Sequence, residues 1–383
     1  MRAYAVVGSG FGDCGKGSAV DALAATSGRS IVVRFNGGAQ AGHTVVTPDG
    51  VRHVFSHFGS GALAGAPTYL SHFFVANPRI FLNERVELAK HKANLNVTMN
   101  PYCPVTTPWD VMVNRWVETE RGKDCHGSVG IGFGETVGRT DKYFLCAADA
   151  FRGENGYLRK FVSNLQEWAV DRSAKLGIPL TLGRRDAIYD EGTLETFLQE
   201  VTLMRDLVTL GRAQPTISAY ETVIFEGAQG LLLDQTHGYK FPHLTRSNTG
   251  LQNVLEIAAC AGGIDKIDVR YITRAYTTRH GAGPLDGEGT LEGVTVVDET
   301  NGDKPWQGPF RTAPLNAARV GHAIQGDLNR ARCAIEINPS LVLTCMDQIH
   351  GVSANLVEDT VAKKISLPIR YRTTGPSSRE VVK

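Results

Sequence analysis

The sequence has no long apolar run. Nothing in it approaches the roughly 18 consecutive apolar residues of a membrane-crossing helix, and the opening MRAYAVVGSG holds too few for the core of a secretion signal. It also has no surplus of charge. Lys and Arg number 40 against 39 Asp and Glu, a formal net charge of +1, so no general field draws in nucleic acid or an anionic membrane surface. There is no C-x-x-C pair. The seven cysteines, Cys14, Cys103, Cys125, Cys146, Cys260, Cys333 and Cys345, are odd in number and widely spaced, which argues against a zinc or dithiol motif and for free thiols in a reducing compartment. We therefore expect a cytoplasmic protein with no nucleic-acid or membrane partner; 42% apolar and 21% charged residues exclude a disordered chain.

What the sequence has in excess is glycine, 42 of 383 residues, about one and a half times the usual share and clustered in short loops. The apolar run 3–7 stops at Gly8, and 18–25 follows as a helix-like stretch: strand, glycine loop, helix. A second β-rich run, 31–35, ends in Asn36-Gly37-Gly38-Ala39-Gln40-Ala41-Gly42-His43. Further β-rich runs lie at 222–225, 267–273, 341–344 and 369–373, while apolar residues at three- and four-residue spacing make 151–212 mainly helical. The alternation predicts an α/β fold with a central, mainly parallel sheet and ligands at its strand ends. No composition break divides the chain, so one large domain (1–383) is expected, with surface loops at 281–289 and 301–314.

Gly8-Ser9-Gly10-Phe11-Gly12-Asp13-Cys14-Gly15-Lys16-Gly17-Ser18 nearly matches a P-loop from Gly10 to Lys16, with Gly17 where Ser or Thr should follow the lysine. A bare turn would also select glycines, but a lysine at a helix start is unfavourable unless an anion sits there, so the loop reads as a phosphate cradle. Asp13 would be repelled by phosphates unless it holds Mg²⁺ or takes a proton; a capping aspartate is the bland alternative. His43 follows a strand and a glycine loop, where it can donate to an oxygen whose charge grows during phosphoryl transfer. Gln229, in Phe225-Glu226-Gly227-Ala228-Gln229-Gly230, sits at another strand-to-loop switch, where a buried amide needs partners that a ligand can supply.

Six runs, GFGDCGKGS, VVRFNGGAQAGHTVV, IFEGAQGLLLDQTHGYKFPHLTRSNTG, RAYTTRHGAGP, LTCMD and TTGP, resemble in the same order the adenylosuccinate synthetase family. That resemblance implies a large α/β fold, a homodimer, and a GTP- and Mg²⁺-dependent ligase joining L-aspartate to C6 of a 6-oxopurine nucleotide. It implies that Asp13 takes the N1 proton and, with the Gly42 carbonyl, binds Mg²⁺, that His43 stabilises O6, and that Gln229 faces the purine and its 6-phosphoryl group. Gly12, Gly15, Lys16 and Gly17 would hold phosphates, and Thr245 the 5′-phosphate of the acceptor. Gly127-Ser128-Val129-Gly130-Ile131-Gly132 is similar to the family's phosphate loop, with Ser128 as hydroxyl donor, and Arg139 to the arginine that reaches the partner subunit's nucleotide. Asp347 resembles the guanine-reading aspartate, and Gly375-Pro376 the adjoining turn.

The chain also departs from the family pattern. Cys14 replaces a glutamate, Gln40 an asparagine near the purine, and Cys345 a lysine that packs on guanine, which leaves the choice of GTP over ATP open. The loop expected to hold the amino acid aligns with 306–311, where Gly308 and Arg311 match but Pro309 replaces an arginine; Lys304 or Arg279 are the candidates to compensate. Such departures resemble the divergent phage branch, which acts on dGMP and usually carries Ser or Thr at the position of Asp13. Retained Asp13 favours IMP as acceptor, with GMP or dGMP as the alternative. A non-catalytic GTP-binding regulator is the remaining reading, and it would need neither Asp13 nor His43.

Overall fold

The computed structural model describes the chain except residues 153–154, 238–240, 290, 299, 302–305, 379 and 383. Arg2–Gly8 forms the middle of a ten-stranded sheet. On one side it pairs in parallel with Thr222–Glu226, and beyond that lie Ser30–Arg34, Thr68–Leu70, Val97–Met99 and Thr209–Leu210. On the other side come Lys266–Arg274, Glu336–Thr344 and Ile369–Thr373, also parallel, and an antiparallel edge, Val381–Val382. The central strands are apolar along their length because helices cover both faces; Ala5, Val6, Val7, Val32, Val33, Ile224 and Phe225 are all buried. The chain leaves Arg2–Gly8 toward one half of the sheet and returns to its other side at Lys266–Arg274. That reversal opens a crevice at the carboxyl ends of the strands.

The helical stretch expected at 151–212 is present as Asn155–Lys175, Leu182–Ile188 and Glu191–Leu207. Its apolar faces join a second core around Trp109, Phe81 and Phe197. In the same core, Pro108–Arg121 begins with a capping box in which Thr107 and Asp110 satisfy each other's backbone.

Two antiparallel hairpins complete the crevice, His43–Val46 with Arg52–Phe55 and Tyr276–His280 with Phe310–Pro314. The second corrects the reading of 301–314 as loop. Pro309 and Pro314 look like loop punctuation, but Phe310–Pro314 is an edge strand, where proline is tolerated, and Arg311 pairs with Arg279 and Phe310 with His280. Among the described residues, no helix is long and apolar enough to cross a membrane.

Candidate active site

A cleft of about 1250 Å³ lies at the strand ends. Its floor is the glycine loop that follows Arg2–Gly8. The loop turns through left-handed backbone at Gly12 (φ 98°) and Gly15 (φ 84°), and Asp13 also adopts positive φ, 48°. Helix Lys16–Thr26 begins where the loop ends, so its first N–H groups face the cleft. Lys16 is 3% exposed, and its ammonium donates to the Gln229 carbonyl at 2.6 Å. The loop bearing Gln229 crosses the glycine loop so closely that a Cβ at Gly8 would lie 2.5 Å from that carbonyl oxygen.

His43 is the best-defined group in the cleft. Its Nδ1 lies 2.6 Å from Glu226 Oε1, and its Nε2 is buried without a partner. Glu226 closes the strand Thr222–Glu226 and is 0% exposed. The backbone N–H of Ser60 donates to its Oε2 at 2.9 Å and the Ser60 hydroxyl to its Oε1, with Arg34 Nε at 4.0 Å. Burial would raise the Glu226 pKa, but His43 and Arg34 outweigh it and hold the carboxyl at about 2. An ionised carboxylate only accepts, so Nδ1 carries a proton and Nε2 is aimed at the cleft. Burial holds the imidazole pKa below its ordinary value, against the pull of Glu226.

Asp13 lies on the cleft wall with its carboxylate 3.7 Å from His280 Nε2, and its backbone carbonyl accepts from Arg274 Nε. Arg274 is in turn held by Asp298 at 2.8 Å. Two amides face the cleft unsatisfied: Gln229 lacks a partner at Oε1, Gln40 at both Oε1 and Nε2. Gly12, Gly15, Gly17, Gly42 and Thr245 also line it, and Asp347, Gly375 and Pro376 stand on its wall beside Cys345. No group of three His, Cys, Asp or Glu among the described residues could hold a metal by itself. A Mg²⁺ ion would not need such a group, because it is commonly held by one or two carboxylates together with substrate phosphates. Asp13 and the Gly42 carbonyl would complete such a set.

Other expected residues are placed differently. Ser128 lines the cleft, but its hydroxyl is exchanged with Asn114 at 2.8 and 3.1 Å, and the N–H groups of Gly127 and Ser128 donate to Glu118 at 2.9 and 3.4 Å. A protein carboxylate thus occupies donors expected to serve a phosphate. Arg139 must be corrected. It is 1% exposed and pairs with both oxygens of Asp110 at 2.8 and 3.0 Å. It also donates to the carbonyls of Tyr143 and Val105, so its guanidinium is bound within its own chain and buried, not presented at the surface. Arg311 is corrected as well. It ties Glu288 and the carbonyls of Gly281 and Gly283 together, and neither it nor Gly308 lines the cleft. Lys304 lies outside the described residues. Glu226 and His280 both fall inside motifs that give them no role by themselves; only pairing in space reveals either.

The sequence model of the adenylosuccinate synthetase family matches residues 5–354. The adenylosuccinate synthetase of Chromohalobacter salexigens is 33% identical over 359 residues, covering 91% of this chain and 77% of its own length. That of Borrelia duttonii is 27% identical over 360 residues, 92% of this chain and 79% of its own. Among solved structures, the fully ligated adenylosuccinate synthetase from Plasmodium falciparum is similar with a TM-score of 0.71 at 18% identity, covering 100% of both chains. A succinoaminodeoxyadenylate synthetase of cyanophage S-2L, solved with dGMP and with dATP as an energy donor, is similar with a TM-score of 0.63 at 16% identity, covering 100% of this chain and 95% of its own. At these identities the two structures speak for the fold.

Proposed function

The chain belongs to the adenylosuccinate synthetase family, ligases that form a carbon–nitrogen bond in purine biosynthesis, and from that premise we propose that it joins L-aspartate to C6 of IMP at the expense of GTP. The observation that carries the reading is the convergence of Asp13 and the unpartnered Nε2 of His43 on one cleft. Asp13 takes the N1 proton, and the electron pair shifts charge to O6. O6 attacks the γ-phosphorus as the bond to the GDP oxygen breaks. The amine of aspartate then adds at C6, and phosphate leaves with the former O6.

Nε2 of His43 stabilises the charge on O6, and to donate there it must carry a second proton. The Glu226 carboxylate supports that imidazolium from behind, and the incoming triphosphate adds negative charge that favours it further. Lys16 exchanges the Gln229 carbonyl for phosphate, and the amides of Gln229 and Gln40 meet the polar edge of the base. Bound Mg²⁺, held by Asp13 and Gly42, would neutralise phosphate charge. A regulator would have no use for a buried His43–Glu226 pair aimed at the cleft.

One observation favours the second acceptor. Gln40 Oε1 is a free acceptor, suited to the 2-amino group of a guanine nucleotide. Assay of IMP, dIMP, GMP and dGMP in parallel, each with GTP and aspartate and with the succino product read by mass, decides between them. We expect product from IMP; product from the guanine nucleotides alone would make the chain a 2-aminoadenine pathway enzyme. The rest of the reading is a single-domain, cytoplasmic homodimer acting on small molecules. Since Arg139 is locked inward, the dimer rests on the family alone.

A further inference from the structure

The amino acid needs a seat for its carboxylates, and among the described residues of the segment that resembles the family's seat no cation lines the cleft. Pro309 carries no charge there. Arg311 spends its guanidinium on Glu288 and two carbonyls and lies off the cleft wall.

The opposite strand of the same hairpin offers what is missing. Arg279 and His280 both line the cleft; Arg279 is 4% exposed, and the His280 side chain 6%. Arg279 donates to the carbonyls of Pro284 and His243 at 2.9 and 3.2 Å and lies over the Phe11 ring at 4.4 Å, but its Nε has no partner. It makes no ion pair with any described carboxylate, which is unusual for a buried guanidinium. Neither ring nitrogen of His280 has a hydrogen-bond partner, its Nε2 standing 3.7 Å from the Asp13 carboxylate, and its ring packs on Phe310 at 5.0 Å.

We propose that Arg279 and His280 form the seat for the carboxylates of the amino-acid substrate, replacing the arginine that Pro309 has displaced. The inference rests on the ligase reading above. An anion answers the local charge, since burial, with Arg311 and Arg319 nearby, pulls the Arg279 pKa down to about 10. The placement also fits the chemistry. His280 stands 3.7 Å from Asp13, the group that works at N1, so an amino acid held there lies beside C6, the neighbouring ring atom. Two donor positions on one hairpin select a short dicarboxylate over a monocarboxylate, because the second would stay unpaired.

The test is steady-state kinetics of Arg279→Gln and His280→Gln with L-aspartate varied at saturating GTP and acceptor nucleotide. Each should raise KM for aspartate about tenfold to hundredfold, the scale of one lost charge-assisted hydrogen bond. KM for GTP and for the acceptor should stay within about threefold, and the preference for L-aspartate over L-asparagine should narrow about tenfold in Arg279→Gln. Calorimetric titration of L-aspartate into enzyme loaded with acceptor nucleotide and a non-hydrolysable GTP analogue reads the same loss without turnover. Should Arg279→Gln not fold, Arg279→Lys, which keeps the charge but not the planar fork, takes its place with the same expectation. Unchanged aspartate KM in either variant, or a loss carried by Arg311→Gln instead, overturns the seat. If the unaltered chain releases phosphate without any amino acid, it is the ligase reading that fails.

Discussion

His43 and Glu226, 183 positions apart in the chain, meet at 2.6 Å in the buried wall of the cleft. The sheet brings this about by setting Ser30–Arg34 beside Thr222–Glu226, with Arg34 in register with Glu226. The carboxylate therefore has a cation on one side and the imidazole on the other, and His43 has one nitrogen fixed and one free. If that pairing supports O6, Glu226→Gln should lower kcat by at least about 100-fold while leaving substrate KM values within a few fold. Turnover within threefold of the unaltered chain would remove Glu226 from the mechanism.

The same pair fixes a pH dependence of stability. Both groups have folded pKa values below their unfolded ones, His43 through burial and Glu226, at about 2, through its neighbours despite burial. Their contribution is complete above the unfolded values, about 6.5 for imidazole and about 4.3 for the carboxyl, and is lost as pH falls through the folded values. The melting temperature should therefore drop on acidification below about pH 6.5, and more steeply below about 4.3. In the His43→Asn, Glu226→Gln double variant the drop should be shallower; equal slopes from pH 3 to 8 would contradict the assignment.

Arg139 makes the opposite kind of prediction. Removing one partner of a buried, fully hydrogen-bonded ion pair leaves the other charge stranded, at a typical loss of about 3–5 kcal/mol. Arg139→Met should therefore melt well below the unaltered chain, with the turnover of the folded fraction largely kept. Unchanged melting with turnover reduced about 100-fold would restore the substrate role.

Asp347 stands exposed on the cleft wall beside Cys345, whose backbone is left-handed at φ 60°. A carboxylate there accepts from guanine N1–H and N2–H and repels the lone pair at adenine N1. GTP should outperform ATP as donor, and Asp347→Asn should narrow the difference at least tenfold. Equal rates with the two donors in the unaltered chain would show that Asp347 does not read the base.

The six longest strands of the ten-stranded sheet and the helical stretch were legible because local pattern writes them: apolar runs for buried parallel strands, three- and four-residue spacing for helices. The glycine loop that floors the cleft was legible for a similar reason, since Gly12, Asp13, Gly15 and Lys16 lie within one turn of chain. What local pattern hides is pairing across the sheet. Nothing near Glu226 announces His43, and nothing near Asp110 announces Arg139. Phe310–Pro314 was hidden because its prolines mimic a loop, and an arginine in the expected place, Arg311, proved to be tied to its own hairpin.

The most direct measurement is phosphate release from GTP with the acceptor nucleotide and L-aspartate supplied together and each omitted in turn. Release should require both cosubstrates, should match formation of the succino product one for one, and should fall at least about 100-fold in Asp13→Asn and in His43→Asn. Release that continues unchanged when either cosubstrate is left out would contradict the account and leave a nucleoside triphosphatase or a regulator in its place.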